Sequence, residues 1–402
     1  MKGKNRYKYG NILKWDRIEA GMILVLWATG VIMSTIVTKD FFCAHDAADY
    51  WQRGESIWQE GHFSLLNMSG FRGYVYPLYL GICNRLGGKT AYIIINSLVN
   101  SLFMILIVPK LHDAEKKDII RCVICYGLFN ICFMGLSVYP LSDLFAIILC
   151  STGILIEIKI ERAQNIWKIL GYSILMGGIV YCAYNVRTIY LFAGGALFLK
   201  LIIHLIWSKE KLIKDFAIVV GESVGALVAA IPQIYMNYHE TGIISIKVPT
   251  DGLMLRQVLW GLKFQRYDTY IGQAAEHPEP QMYFVDSAGT RILSYTGVEG
   301  FPDWLAFFKF VFKHPFDIAA IYIRHITNAL FPCWPNQYVE ALDNDKVIAG
   351  LLSISLLFLF GIAVLNKFIN RNFISRYWVL LIPVLFIIPG AVETRFFVAV
   401  PP

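Results

Sequence analysis

Apolar residues in this chain fall in long continuous blocks, not in the short stripes of a soluble amphipathic helix. Nine blocks can be drawn, at about 20–38, 90–109, 122–136, 141–158, 168–183, 188–207, 216–235, 347–365 and 377–391. A bilayer crossing takes roughly 20 predominantly apolar residues. The pattern therefore predicts an all-α polytopic integral membrane protein with about nine transmembrane helices. A β-barrel would alternate apolar and polar positions along each strand, and these blocks do not.

Polar segments between the blocks divide into two kinds. Basic ones lie at the N-terminal arm, at Lys110 to Arg121, at Lys159 to Lys168, at Lys200 to Lys214 and at Lys367 to Arg376. Threading nine spans puts all of these on the cytoplasmic side, as the positive-inside rule requires. The other side then receives 39–89, a short turn near 138–141, Tyr184–Arg187, the long stretch 236–346 and the C-terminal residues. Three regions follow: a membrane module over 1–235 that contains the first outer loop at 39–89, an extracytoplasmic loop over 236–346, and C-terminal spans over 347–402. The final residues, Glu393 to Pro402, read like the entry to a further span, so an early natural end and a truncation both fit.

The outer segments carry helical patterns of their own. In 45–61, Asp46, Asp49, Tyr50 and Arg53 are spaced by three and four, which places them on one helix face. Trp51 and Trp58 share another face and suit headgroup anchoring. Residues 303–330 read as two amphipathic helices broken before Pro315, with cations among aromatic and aliphatic residues, as in helices that lie in the membrane interface.

Composition agrees: 56% of the 402 residues are hydrophobic and 16% charged, against about 25% charged in soluble domains. The net charge of +7 sorts to one membrane side, so it reads as topology and not as nucleic-acid binding. The eight cysteines are scattered, and the Cys122/Cys125 pair has no partner pair, so no zinc site is expected. The first span has no small-residue cleavage site and is followed by others, which makes it an anchor and not a cleaved signal. No phosphate loop, paired-histidine motif or GxSxG elbow is present. Reaction energy must come from an activated substrate, or the protein is passive.

Carboxylates clustered at a water–membrane boundary serve acid–base chemistry better than anchoring. Asp46 is the candidate general base, able to take a proton from an attacking hydroxyl; it also suits the cap of a helix starting at Ala47. Asp49 and Tyr50 are candidate substrate-binding neighbours. Arg72, followed by Gly73, Tyr74 and Tyr76, suits a lipid phosphate or ordinary headgroup contact. Arg187, at a tight outer turn beside Asn185, is either a phosphate ligand or the partner of an acidic residue in another loop. Asp143 heads the fourth span as a membrane-edge carboxylate or as its cap. Tyr267 and Asp268 are candidates for a sugar-binding wall, with a locally packed loop as the other reading. His314 is either a phosphate contact or a turn residue before Pro315. Glu393 and Arg395 close the set, as substrate ligands or as fold-pairing charges.

The order of these features resembles the GT-C superfamily of membrane glycosyltransferases, within it the protein mannosyltransferase and lipid A aminoarabinose transferase group. The likeness runs through Asp46, Tyr50, Gly54 and Gly61, then Arg72-Gly-Tyr-Val-Tyr-Pro-Leu-Tyr79, Tyr139-Pro140, Asn185–Arg187, Lys313-His314-Pro315 and Glu393-Thr-Arg395-Phe-Phe. It departs where Gly73 and Tyr74 replace prolines and where Ala47 replaces a second acid. The resemblance implies a GT-C fold and an inverting transferase that needs no metal or other cofactor. The donor would be a polyprenyl-phosphate monosaccharide and the acceptor a lipid-linked glycan or surface polysaccharide. Asp46 would be the base, with Arg72, Arg187, His314 and Arg395 on the donor phosphate. Partners would be those two substrates and membrane lipids, with no nucleic acid. The active site would face the periplasm or exterior of a plasma (inner) membrane. Asn67-Met-Ser69 is the one glycosylation sequon noted in the outer loops, and 236–346 has none, which favours a bacterial setting. An O-antigen-type polymerase or ligase and a lipid-linked sugar flippase are the alternatives. The first would gather its arginines in the late loop, and the second would place polar residues inside its spans.

Overall fold

A computed structural model describes residues 17–37, 45–68, 72–107, 110, 139–207, 212–250, 252–269, 281–329, 355, 358, 362 and 371–390. These residues are mostly helical. The order is α1 (Arg17–Val37), α2 (His45–Ser56), α3 (Val75–Leu102), α4 (Ser142–Arg162), α5 (Ile166–Val186), α6 (Leu191–Trp207), α7 (Leu212–Thr241), α8 (Leu253–Lys263), β1 (Phe264–Thr269), β2 (Gln281–Val285), α9 (Ser287–Thr296), α10 (Trp304–Lys313), α11 (Pro315–Ala329) and α12 (Arg371–Ile387). Among the described residues, three stretches are long and apolar enough to cross a membrane: Val75–Ile107, Ile166–Val186 and Ile213–Thr241. Shorter apolar helices cover Glu19–Thr35, Thr188–Ile203 and Trp378–Ile387. The blocks expected at 122–136 and 347–365 lie outside the described residues, apart from Ser355, Phe358 and Ile362.

The second block begins earlier than its apolar run. α3 starts at Val75 and bends at Gly87–Gly88, where Gly88 has φ 60° and breaks the helical conformation. The sequence boundary at 89/90 falls on this bend, with the residues before it packed under α2. That packing is close. A Cβ on Gly54 would sit 2.9 Å from the Gly81 nitrogen, and one on Gly81 would sit 2.7 Å from the Gly54 oxygen.

The main core joins α1, α2, α3, α4, α5, α6, α7 and α12 around Tyr76, Leu80, Tyr92, Ile154 and Met176. A second cluster, Ile57, Met68, Tyr74, Tyr181, Ala230 and Met236, ties the first loop to α5 and α7. Among the described residues, α5 and α7 pack most intimately. Gly221 on α7 lies against Leu170 and Ser173 of α5, Gly225 lies against Ile174 and Gly178, and Gly177 of α5 lies against Glu222, so the two backbones come into direct contact, as small-residue stripes permit in membrane helices.

Residues 253–269 and 281–329, which fall in the stretch expected outside, form a unit with its own core of Leu262, Leu293, Phe310, Ile318 and Ile321. Its two strands pair antiparallel, Tyr267 opposite Tyr283 and Asp268 opposite Met282. These strands lie where the sequence pattern indicates a polar and aromatic loop, whereas the two helices expected over 303–330 are present as α10 and α11, broken before Pro315. Asp286 caps α9 by accepting from the Ala288 and Gly289 amides at 3.0 and 2.9 Å. The same carboxylate accepts two hydrogen bonds from Arg324, at 2.7 and 2.9 Å.

The unit docks on the end of α12. Gly261 lies against Pro389 and Gly390. His325 is fully buried, with Nδ1 2.6 Å from the Ile388 carbonyl and Nε2 3.1 Å from the Phe264 carbonyl. Burial lowers the His325 pKa below 6.5, outweighing the carbonyls and Asp286, which favour the charged ring. For Asp286, burial alone would raise the pKa, but Arg324 and the α9 amides outweigh it and bring it below 3.8. Both groups therefore bind protons more readily in the unfolded chain, so stability is full above their ordinary pKa values and is lost as pH falls. Thermal unfolding should hold steady above about pH 7 and decline towards about pH 5, with His325→Gln flattening that first decline. A wild-type Tm that stays level over this range would contradict the assignment.

Candidate functional site

Helix α2 and the turn before α3 build one polar cluster. α2 begins at His45, so Asp46 lies in its first turn and not at a cap ahead of Ala47. The spacing read from sequence holds: Arg53 Nε donates to Asp49 Oδ1 one turn back, at 2.8 Å. Arg72, from the turn, closes onto the same face. Its Nη2 donates to Asp46 Oδ1 at 2.6 Å, its Nε to Asp49 Oδ2 at 3.0 Å and its Nη1 to the Tyr50 hydroxyl at 3.3 Å. The guanidinium carbon stands 4.7 Å from the centre of the Tyr50 ring, a cation–π distance.

Burial alone would lower the Arg72 pKa; Tyr50, Asp46 and Asp49 outweigh it and raise it, so the cation is permanent. The carboxylates and guanidinium are about one-third exposed. Ion pairs this open contribute roughly 0–1 kcal/mol to stability. The cluster is thus a held arrangement of charge at an accessible edge and a minor stabiliser of the fold.

Support comes from α4. Ser142 Oγ donates to the Tyr50 hydroxyl at 3.1 Å, and Tyr50 meets Tyr76 edge-on at 5.1 Å. Tyr76 is buried in the core and packs on Tyr79 and Phe145, so it backs the cluster and offers no open ring to a sugar. Helix α2 ends at Ser56, so Trp58 does not share a helical face with Trp51. Trp51 packs on Tyr92, and Trp58 packs on Phe63.

Next to Ser142, Asp143 is 5% exposed and accepts from Arg187 Nη1. Of the two readings of Arg187, the structure places it on an acidic residue of another element. Asn185 is buried and spent on the fold. Its Oδ1 accepts from the Val75 amide at 2.9 Å, and its Nδ2 donates to Gln233 Oε1 at 2.9 Å. Gln233 passes the chain to Asn237, which donates to the Ser245 and Lys247 carbonyls. This ladder fixes the turn that carries Arg72. It also explains Gly73: a Cβ there would lie 2.0 Å from the Asn185 carbonyl oxygen and 2.4 Å from Oδ1. Gly73→Ala should displace the turn, costing about 1–3 kcal/mol and loosening Arg72 from Asp46. Thermal unfolding together with chemical reactivity of the Asp46 carboxylate would check this; an unchanged Tm would refute it.

The remaining candidates lie elsewhere. Tyr267 is buried in β1, and Asp268 follows it on that strand. His314 closes α10, its amide donating to the Phe310 and Val311 carbonyls, with its ring against Phe310. All three belong to the unit formed by 253–269 and 281–329, whose core is separate from the one beneath Asp46. Glu393 and Arg395 lie outside the described residues. Among the described residues, no three His, Cys, Asp or Glu side chains converge as metal ligands would.

Ser142, Gln233 and Asn237 are not marked by the sequence pattern. Ser142 meets Tyr50 from 92 positions away and Gln233 meets Asn185 from 48, while Asn237 joins the ladder through Gln233, one helical turn back. In comparisons with known proteins, the chain matches no family model, no curated protein and no solved structure.

Proposed function

We propose that the chain is a multi-pass inner-membrane glycosyltransferase of the GT-C type with about nine spans. It would move a monosaccharide from a polyprenyl-phosphate donor to a glycan acceptor at the outer face. One observation carries this reading: Asp46, Asp49 and Tyr50 meet Arg72 in a single, partly open cluster beside helices long and apolar enough to cross a membrane. The reaction needs a base for the acceptor hydroxyl and a fixed cation for the leaving phosphate, and the cluster contains both.

The pairing gives the two roles an order. A carboxylate held by a guanidinium is a poor base. A donor phosphate arriving at Arg72 competes for its N–H groups, and a bidentate phosphate contact is a strong one. Asp46 is thereby released towards the acceptor hydroxyl only when donor is present. Asp46 takes the hydroxyl proton, the oxygen attacks the anomeric carbon from the face opposite the phosphate, and the sugar–phosphate bond breaks with inversion. Rate comes from positioning and charge.

The test is transfer of radiolabelled sugar from a panel of polyprenyl-phosphate monosaccharides into native membrane glycolipid by the purified full chain. Transfer from one donor supports the reading and names the sugar. No transfer from any donor by folded protein would turn the assignment towards a polymerase, a ligase or a flippase.

A further inference from the structure

Helix α10 presents a face that the described residues leave uncovered. Asp303 starts the helix, its Oδ1 accepting from the Ala306 amide at 2.7 Å. Phe307 and Phe310 turn inward, edge-on to Phe301 at 5.3 and 5.5 Å. At about 100° per residue, that leaves Trp304, Leu305, Phe308 and Phe312 on one outward sector, with Lys309 and Lys313 on its flank. The four apolar residues are exposed, Phe312 at 80%, and Phe316 at the start of α11 extends the patch at 87%. The helix sequence WLAFFKFVFK contains no acidic residue.

Two features of the structure select the occupant. The unit formed by 253–269 and 281–329 is fastened where an apolar helix ends, through Gly261 on Pro389–Gly390 and His325 on the Ile388 carbonyl, and Met254 packs on the main core. Within α10 the charge is of one sign, set beside aromatic rings, with acids only at its two ends, Asp303 at the cap and Asp317 in the first turn of α11. A protein partner would have to cover this sector and also supply acids to both lysines. A leaflet supplies hydrocarbon to the rings and phosphates to the lysines, whose long stems let the amines reach outward.

We propose that α10 is a lipid-binding helix. Trp304, Leu305, Phe308 and Phe312 seat in the leaflet at the α12 end, and Lys309 and Lys313 take the phosphates of anionic phospholipids. This inference stands apart from the transferase reading and needs no activity to test it.

The experiment uses the full chain, one copy per nanodisc, with a fluorescent amino acid in place of Phe312 and, separately, of Phe316. Nanodiscs contain phosphatidylcholine alone or with phosphatidylglycerol. The labels are expected to be quenched severalfold by lipids brominated in their tails and shielded from aqueous iodide. Spin-labelled phosphatidylglycerol should be enriched around the protein, and the Lys309→Gln/Lys313→Gln pair should remove most of that enrichment. Free iodide quenching at both positions, in protein that elutes as a single species, would overturn the proposal. Shielding that appears only with two copies per disc would reassign the face to self-association. Enrichment unchanged by the lysine substitutions would overturn the headgroup assignment.

Discussion

Gly225→Leu should prevent the chain from folding. A Cβ at position 225 would stand 1.8 Å from the Ile174 carbonyl oxygen, 2.7 Å from its carbon and 2.9 Å from the Gly178 nitrogen. All three are backbone atoms, which cannot swing aside as a flexible side chain does. Neighbouring positions leave no slack: a Cβ on Gly177 would lie 1.9 Å from the Glu222 oxygen, and one on Gly221 would lie 2.6 Å from the Ser173 Cβ. To admit even a methyl group, α5 and α7 must part along their length and forfeit contacts over several turns. Overpacking typically costs about 1–3 kcal/mol, and a whole leucine against main chain exceeds that range. Total stability is about 5–15 kcal/mol, so little margin is left. Gly195→Ala is the matched control. It sits in α6 with nothing within 4 Å of its Cβ position, and it should be neutral or stabilise by about 0.5–1 kcal/mol. The yield of monodisperse protein in detergent and its thermal unfolding separate the two. Equal yields from both variants would mean that α5 and α7 are not packed as described.

Asp46→Asn should leave the fold intact and reduce sugar transfer by about 100-fold or more, the usual contribution of a positioned acid or base. The fold survives because the pair with Arg72 is partly exposed, and such pairs are worth roughly 0–1 kcal/mol. The amide keeps the shape and can still accept from Arg72, but it cannot take a proton. Arg72→Lys tests the other half. It keeps the charge but loses the fork that spans Asp46, Asp49 and Tyr50 at once, so donor binding should weaken and the maximal rate should fall with it. Wild-type transfer by Asp46→Asn would remove Asp46 from the chemistry. A loss accompanied by a lower Tm would make its role structural.

Much of the helix pattern is legible in the sequence because apolar blocks of bilayer length have few other uses. The α2 face is legible for the same local reason: Asp49 and Arg53 are one turn apart wherever that segment is helical. The Gly221-x-x-x-Gly225 spacing on α7 and the Ser173-x-x-x-Gly177 spacing on α5 are both present in the chain as small-residue motifs, but only the fold sets one against the other. The pairing of β1 with β2 is not legible in the sequence, since it joins Phe264–Thr269 to Gln281–Val285 across an intervening segment.

Side-chain roles divide along the same line. Asp46 and Arg72 were each conspicuous, and the fold brings them together. Asn185 and Tyr76 were equally conspicuous and went into the interior, one as a hydrogen-bonding link and the other as packing. Arg187 had two readings open, and Asp143 took it. By itself the sequence determined which segments are helical and apolar, and which short stretches hold the charged and aromatic residues, because periodicity and hydropathy act within a few turns of chain. Only the tertiary structure decided which of those residues share a site. That depends on contacts between distant segments, and the burial of each polar group is fixed by whatever partner the fold sets opposite it.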